Sequence, residues 1–339
     1  DEKLRLVPLE LREKGVEEPI ELSVAEAIEK GHVKQPWSAY FMALSRRFVS
    51  ELGIPHEKQR FHEKLKTERA HYSAQTYDHQ VQLDRWGWVE LAGNAYRTDF
   101  DLRGHINTSG VDLTAFKSYD GPVKRKLKIA VPIGATIGPT FKEHAAEVTR
   151  KIIETDAGII EESFRREGFA DLSGFKVQPS HVKIEEKEVS ESGKRFIPHV
   201  IEPSFGAERL VYAVLEYAHS TVKDRVVMKI PRDLAPIQVV ILPLVSKDGL
   251  DKKAYNLYRK LLLEKFDVEY DESGSIGRRY ARADEVGVPV AVTVDYQTMN
   301  DDTVTLRDRD TWKQKRFPIS ELGNILRTYF TTRATVEDL

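Results

Sequence analysis

The run Pro198-His199-Val200-Ile201-Glu202-Pro203-Ser204-Phe205-Gly206-Ala207-Glu208-Arg209-Leu210 constrains this chain more than any other stretch. It reads as a strand that breaks into a helix. Val200 and Ile201 begin an apolar, β-branched run, and Gly206 ends it and permits close backbone approach. From Ala207 the period changes: Leu210, Val211, Val214, Leu215 and Ala218 fall at helical spacing. Glu202 and Ser204 are two apart, so a strand points both to one face. A carboxylate inside such a run is costly to bury unless it meets a cation. Arg209 falls in the first helical turn, where a helix N-terminus and a guanidinium together hold a polyphosphate. Local spacing leaves two readings open. One is a site with an ammonium at one end and a phosphate at the other. The other is a strand–helix joint whose Glu202 and Arg209 make structural ion pairs.

Composition bounds the classes. A chain of 339 residues holds two or three domains at about 100–200 residues each. There is no Cys, so there is neither a disulfide framework nor a thiolate metal site, which fits a reducing compartment. No apolar run approaches a membrane span and no signal peptide opens the chain, so the expected place is the cytoplasm. Lys plus Arg (52) nearly balances Asp plus Glu (54), so only local patches could argue for nucleic acid. A charged fraction of 31% with three Met resembles proteins of hot environments. The chain opens at Asp1 with Leu4, Leu6 and Leu9 already strand-like. The expectation is a truncated, processed or split polypeptide.

Along residues 1–54, Ser23 and Glu26 form a capping box for a helix that Gly31 ends. Pro36 opens the next helix, whose stripe Tyr40, Phe41, Leu44, Phe48, Val49 and Leu52 is expected to be core. His56, His62, His71 and His79 follow without the spacing of a strong metal motif. Trp86 to Leu102 is a second chemical stretch. There Trp88, Glu90 and Ala92 are expected on one strand face and Val89, Leu91 and Gly93 on the other. Glu90 could hold Mg²⁺ on a polyphosphate, or face solvent as an ordinary acid.

Residues 106–196 read as an insertion. A strand from Val123 to Val131 carries Lys124, Arg125, Lys126 and Lys128, either against an RNA backbone or as an edge kept from pairing by its lysines. Pro139 and Thr140 open one long helix reaching Phe164. Short strands follow near Phe175–Val177, His181–Ile184 and Arg195–Ile197. Beyond Pro231–Pro236, strands and helices alternate, which argues a mixed α/β domain. The turn Asp271-Glu272-Ser273-Gly274-Ser275 leads into a helix carrying Arg278, Arg279 and Arg282. It is not a Walker loop.

The 198–210 run resembles the third signature motif of class II aminoacyl-tRNA synthetases, in the form found in glycyl-tRNA synthetases of the archaeal and eukaryotic type. Trp-Val-Glu-Leu at 88–91, Ala-His-Tyr at 70–72, Arg97 with Asp99, and Gly-Arg-Arg-Tyr-Ala-Arg at 277–282 carry the resemblance along the chain. It implies an α/β (α+β) protein. Residues 1–105 and 197–232 would form part of a class II catalytic core, an antiparallel sheet with helices. Residues 106–196 would be the insertion near the tRNA acceptor arm, and 233–339 a mixed-sheet α/β anticodon-binding domain.

The resemblance also implies roles. Glu202 and Ser204 would contact glycine, and Arg209, Glu90 and Leu91 would contact ATP. Glu90 would meet the Mg²⁺ that accompanies ATP. Arg209 and Glu90 would act in catalysis, while Arg278, Arg279 and Arg282 would meet tRNA(Gly). The reaction implied is ATP-driven activation of glycine and its transfer to tRNA, by a homodimer in the complete enzyme. The first and second signature motifs are not found, so the chain is expected to be a C-terminal portion, inactive alone. A synthetase-like paralogue that binds nucleic acid or serves as an accessory subunit is the alternative.

Overall fold

The computed structural model describes residues 2–332 and 334–339, with backbone alone at 125 and 189, so the Arg125 side chain lies outside the described part. Contacts divide the chain into two units, Asp1–Asp101 with His199–Leu339, and Leu102–Pro198.

The first unit opens with β1 (Lys3–Val7), α1 (Leu9–Arg12), β2 (Ile20–Ser23), α2 (Val24–Glu29), α3 (Pro36–Glu51), β3 (Gln59–Glu63), β4 (Gln75–Leu83) and β5 (Gly87–Thr98). The capping box forms at α2: the Ser23 hydroxyl accepts from the Glu26 amide and the Glu26 carboxylate accepts from the Ser23 amide. The stripe of α3 departs in part from expectation, with Val49 and Leu52 buried as expected. Ala39, Met42, Ala43, Ser45 and Val49 are buried, while Tyr40 and Phe48 are 48% and 42% exposed. Small side chains let the helix lie close on the sheet, which turns its aromatic ridge outward.

The second unit holds all but the first two residues of α4 (Phe100–Ser109), then β6 (Ala115–Pro132), α5 (Gly134–Phe141), α6 (Ala145–Glu154), α7 (Ala157–Glu167), β7 (Ala170–Leu172), β8 (Phe175–Val177) and β9 (Val182–Phe196). The single long helix expected here is three. Lys142 takes φ 45° and Thr155 is extended, and each breaks the helical run. The basic strand pairs on one side only, in a two-stranded sheet, and so remains an edge strand. It pairs with β9 along its length, and Lys124 meets Glu188 at 2.9 Å. Opposite charges across an antiparallel ribbon favour pairing where lysines alone would discourage it.

The chain then returns as β10 (Val200–Phe205), α8 (Ala207–Ala218) and the hairpin β11 (His219–Val222) with β12 (Arg225–Met228). The first sheet has the order β10-β5-β4-β3-β1-β2 and is antiparallel except where β1 runs parallel to β3. Behind it lies a buried polar layer. His79 Nδ1 meets Ser45 Oγ at 2.7 Å and Nε2 meets Gln59 Oε1 at 3.0 Å. Burial drives the His79 pKa down to about 3, so the ring is neutral.

The last stretch is β13 (Val239–Pro243), α9 (Leu250–Leu263), β14 (Val268–Tyr270), α10 (Ile276–Val286), β15 (Val290–Val294), α11 (Tyr296–Asp301), β16 (Thr303–Asp308), β17 (Gln314–Pro318) and α12 (Leu322–Thr331). Its sheet order is β14-β13-β15-β16-β17, parallel over the first three strands and antiparallel thereafter. Every residue of β13 and β15 is buried, as strands covered on both faces require. No described helix is long and apolar enough to cross a membrane.

Candidate active site

A cleft of about 260 Å³ opens over β4, β5 and β10 of the first sheet. Register builds it. Asp78 on β4 stands opposite Gly93 on β5, and Gly93 stands opposite Ser204 on β10. One step along, Thr76, Ala95 and Glu202 align in the same way. The floor is therefore a glycine and an alanine, and the walls are polar.

Glu90 reaches this face through an irregularity. Ala92 pairs with His79 but Glu90 pairs with Gln80, so Leu91 is an extra residue in β5. Such a bulge shifts the alternation of the strand. Leu91 and Ala92 are 1% and 2% exposed, and Glu90 lines the cleft with Gly93 and Ala95. The expected grouping of Glu90 with Ala92 against Gly93 is thus corrected. Leu91, expected to contact ATP, turns its side chain into the core. That side chain packs with Val49, Ile54, Val81, Leu83 and Ala213. Its carbonyl accepts the Gly206 amide at 2.9 Å, which fixes the start of α8.

Glu202 already has a protein partner. Arg97 Nη1 donates to Glu202 Oε2 at 2.6 Å, and Arg97 also forks onto Asp101 at 2.7 Å and 2.7 Å. The guanidinium lies 3.8 Å from the centre of the Tyr72 ring. The hydrogen bonds to Asp101 and then to Glu202 hold the Arg97 pKa above its ordinary value. Arg97 thereby fixes Glu202 with one carboxylate oxygen committed.

Arg209 stands in the first turn of α8, and Nη1 donates to the Glu90 carbonyl at 2.9 Å and approaches Glu90 Oε2 at 3.6 Å. Both side chains are well exposed, 56% and 38%. The strand carrying Glu202 and Ser204 and the helix carrying Arg209 thus meet β5 at adjacent points.

Residues that sequence reasoning missed complete the cleft: Lys64, Glu68, Tyr72, Thr76 and Asp78. Lys64 Nζ lies 3.0 Å from Asp78 Oδ2, while Asp78 Oδ1 is buried without a hydrogen bond. Burial is the largest influence on Asp78 and raises its pKa. Glu90 adds to this and Lys64 opposes it. Arg12 and the Leu65 amide hold Glu68 down at about 2. The alternation of polar residues Thr76, Asp78 and Gln80 is the signal that could have marked β4 as a cleft strand.

The arginines of α10 divide. Arg279 is 2% exposed and donates to the carbonyls of Pro243, Leu244 and Gly274. It clasps the strand ends from inside, which corrects its expected contact with RNA. Arg282 donates to Asp271 at 2.5 Å and to the Ser273 carbonyl at 2.6 Å, and Arg278 is exposed.

A nucleotide triphosphate suits the Arg209 end, where an exposed guanidinium sits at the N-terminus of a twelve-residue helix. Among the described residues no cluster of three or more His, Cys, Asp or Glu groups is placed to hold a metal ion. A Mg²⁺ there would ride on the phosphates, with Glu90 as the adjoining carboxylate.

Comparison with known proteins gives one family match and a set of relatives. Residues 238–329 match the anticodon binding domain family. The chain is 47% identical over 340 residues to the glycine–tRNA ligase of Aeropyrum pernix, covering 100% of this chain and 58% of that protein. It is 42% identical to that of Pyrococcus abyssi and 43% identical to that of Pyrococcus furiosus, each over 96% of this chain and 58% of the relative. The chain is thus similar to archaeal glycine–tRNA ligases along its length and spans about 58% of theirs.

Proposed function

We propose that this chain is the part of a glycine–tRNA ligase that binds glycine, contributes to the ATP site and engages tRNA(Gly). The observation that carries this reading is the row of Glu202 and Ser204 over a floor of Gly93 and Ala95. Glu202 pairs with the substrate ammonium through the oxygen that Arg97 leaves uncommitted, and Ser204 hydrogen-bonds the same group. Arg209 holds the phosphates of ATP. A glycine carboxylate oxygen attacks the α-phosphorus, an O–P bond forms, the α–β bridge breaks, and pyrophosphate leaves. The ribose hydroxyl at the tRNA 3′ end then attacks the glycyl carbonyl and displaces AMP, losing its proton. Mg²⁺, when bound, neutralises charge that develops on the phosphate oxygens. The chain's own contribution is positioning and charge complementarity. Rejection of alanine has to come from steric exclusion of its methyl, a stronger discrimination than a roomy apolar pocket gives.

The C-terminal domain meets the anticodon arm through local basic and aromatic groups, because the chain has no basic excess. A homodimer and a cytoplasmic site of action follow from the same reading. The test is ATP–pyrophosphate exchange with glycine and with alanine. It is run on this chain alone and on the chain joined to the part of the Aeropyrum pernix relative that it does not span. Exchange in the joined protein with glycine only is the expected result. No exchange there, with tRNA binding retained, favours a binding paralogue instead.

A further inference from the structure

The cleft has two walls of different sign. On the β10 side stands the Glu202 carboxylate. On the far side, Lys64 follows directly after β3, and its amide donates to the Thr76 carbonyl at 2.9 Å, so it continues the ladder onto β4. Among the residues that line the cleft, Lys64 is the one basic side chain. Its ammonium meets Asp78 Oδ2 at 3.0 Å and has no other acceptor among the described residues, yet an ammonium carries three donors. Its side chain is 28% exposed toward the cleft. Burial favours the neutral amine, but the Asp78 hydrogen bond and charge outweigh it and keep Lys64 protonated.

Strands in a sheet lie about 4.8 Å apart, so β4 and β10, which flank β5, are separated by roughly 10 Å. With only Gly93 and Ala95 between them, that gap fits the main-chain atoms of one amino acid. An α-amino acid zwitterion has its ammonium and carboxylate on one carbon. If Glu202 takes the ammonium, the group at the opposite wall is the carboxylate.

We propose that Lys64 binds the carboxylate of the amino-acid substrate, and that Asp78 is the positioning residue that holds the Lys64 ammonium over the floor of the cleft. This rests on the reading of the cleft as the glycine site. A phosphate of ATP shares the anionic chemistry, and the test separates the two.

Equilibrium binding of glycine, glycinamide and ATP is measured by calorimetry on the joined protein described above. Wild type is expected to prefer glycine over glycinamide, which lacks the carboxylate charge. Lys64→Gln is expected to weaken glycine by roughly tenfold or more, the scale of a lost charge-assisted hydrogen bond, and to abolish that preference. Lys64→Arg is expected to restore most of it, and ATP affinity is expected to stay unchanged. Asp78→Asn is expected to weaken glycine less than Lys64→Gln, with the KM for glycine raised and kcat little changed.

The wild-type comparison of the two ligands needs no variant and stands even where Lys64→Gln folds poorly. Loss of ATP affinity in Lys64→Gln, with glycine binding intact, assigns the anion to phosphate and overturns the proposal. An unchanged glycine affinity overturns it while leaving the glycine site in place. Wild type that binds no glycine at all overturns both.

Discussion

The cleft-bearing sheet and the C-terminal α/β domain use burial in opposite ways. In the C-terminal domain, β13 and β15 are buried throughout and are apolar apart from Thr293. Val239, Ile241, Val290 and Val292 pack with Leu257, Leu261, Leu322 and Leu326 in one continuous core. Buried charges there are paired or clasped by backbone: Arg307 forks onto Asp284 at 2.8 Å and 3.0 Å, and Arg279 donates to carbonyls. The first sheet instead buries Gln59, Arg60, His62, Glu63, Gln75, Asp78, His79 and Asn94. Some of these have no partner: Asp78 Oδ1 and both side-chain polar atoms of Asn94 are buried without a hydrogen bond. A fold that needed only stability would satisfy or remove such groups. Their concentration in one sheet marks where the molecule gives up packing energy for polar atoms, and Asp78 among them lines the cleft.

Arg307→Ala is the harshest way to break this contrast. It leaves Asp284, 1% exposed, as an uncompensated buried charge, and about 3–5 kcal/mol of stability should be lost. Urea unfolding checks it, and a loss below 1 kcal/mol would mean that the domain tolerates open charges as the sheet does.

Acid should separate the two regions next. The unfolded His79 imidazole takes a proton near 6.5 and the folded one only near 3. Its contribution is therefore complete above about pH 6.5 and is lost as pH falls toward 3. His56 and His62, both lowered chiefly by burial, add the same sign. From pH 7 to pH 5, His79 alone should cost about 2 kcal/mol. Hydrogen exchange should show the β3–β4 amides losing protection before those of β13 and β15. Equal loss in both would contradict the contrast.

Smaller effects sharpen it. Arg282→Ala removes a half-exposed ion pair with Asp271 and should cost less than about 1 kcal/mol, while weakening tRNA binding. Filter binding with tRNA(Gly) checks the second part, and unchanged affinity would detach Arg282 from any RNA role. Gly93→Ala should move stability least. The added methyl meets Glu90 Oε1 at 3.8 Å, an ordinary contact, so stability should stay level or rise by up to about 1 kcal/mol. Glycine binding should nevertheless fall tenfold or more, because the floor of the cleft is filled.

Much of this was legible in the sequence. The 198–210 run folds as a strand and a helix, and period and a single glycine sufficed to show it. The C-terminal alternation was equally clear, because strands buried on both faces leave unbroken apolar runs at β13 and β15. What escaped was non-local. The bulge at Leu91 exists only relative to β4, so the faces of Glu90 and Gly93 could not be read from β5 alone. The α3 stripe misled because exposed aromatics and buried alanines alternate on one helix, and hydrophobicity favours the larger side chains. Lys64 and Asp78 carry no local motif. They meet because β3 and β4 pair, which no spacing along the chain announces. Arg279 looked like its neighbours Arg278 and Arg282 until the helix phase turned it inward.

The most direct test of the central claim is glycine-dependent ATP–pyrophosphate exchange in the joined protein carrying Glu202→Gln, set against the same protein unchanged. Glutamine keeps the shape and a hydrogen bond to Arg97 but loses the charge that meets the ammonium. The account predicts that exchange falls by about a hundredfold or more while the folded structure and ATP affinity persist. Exchange at the wild-type rate would contradict it and remove glycine from this cleft.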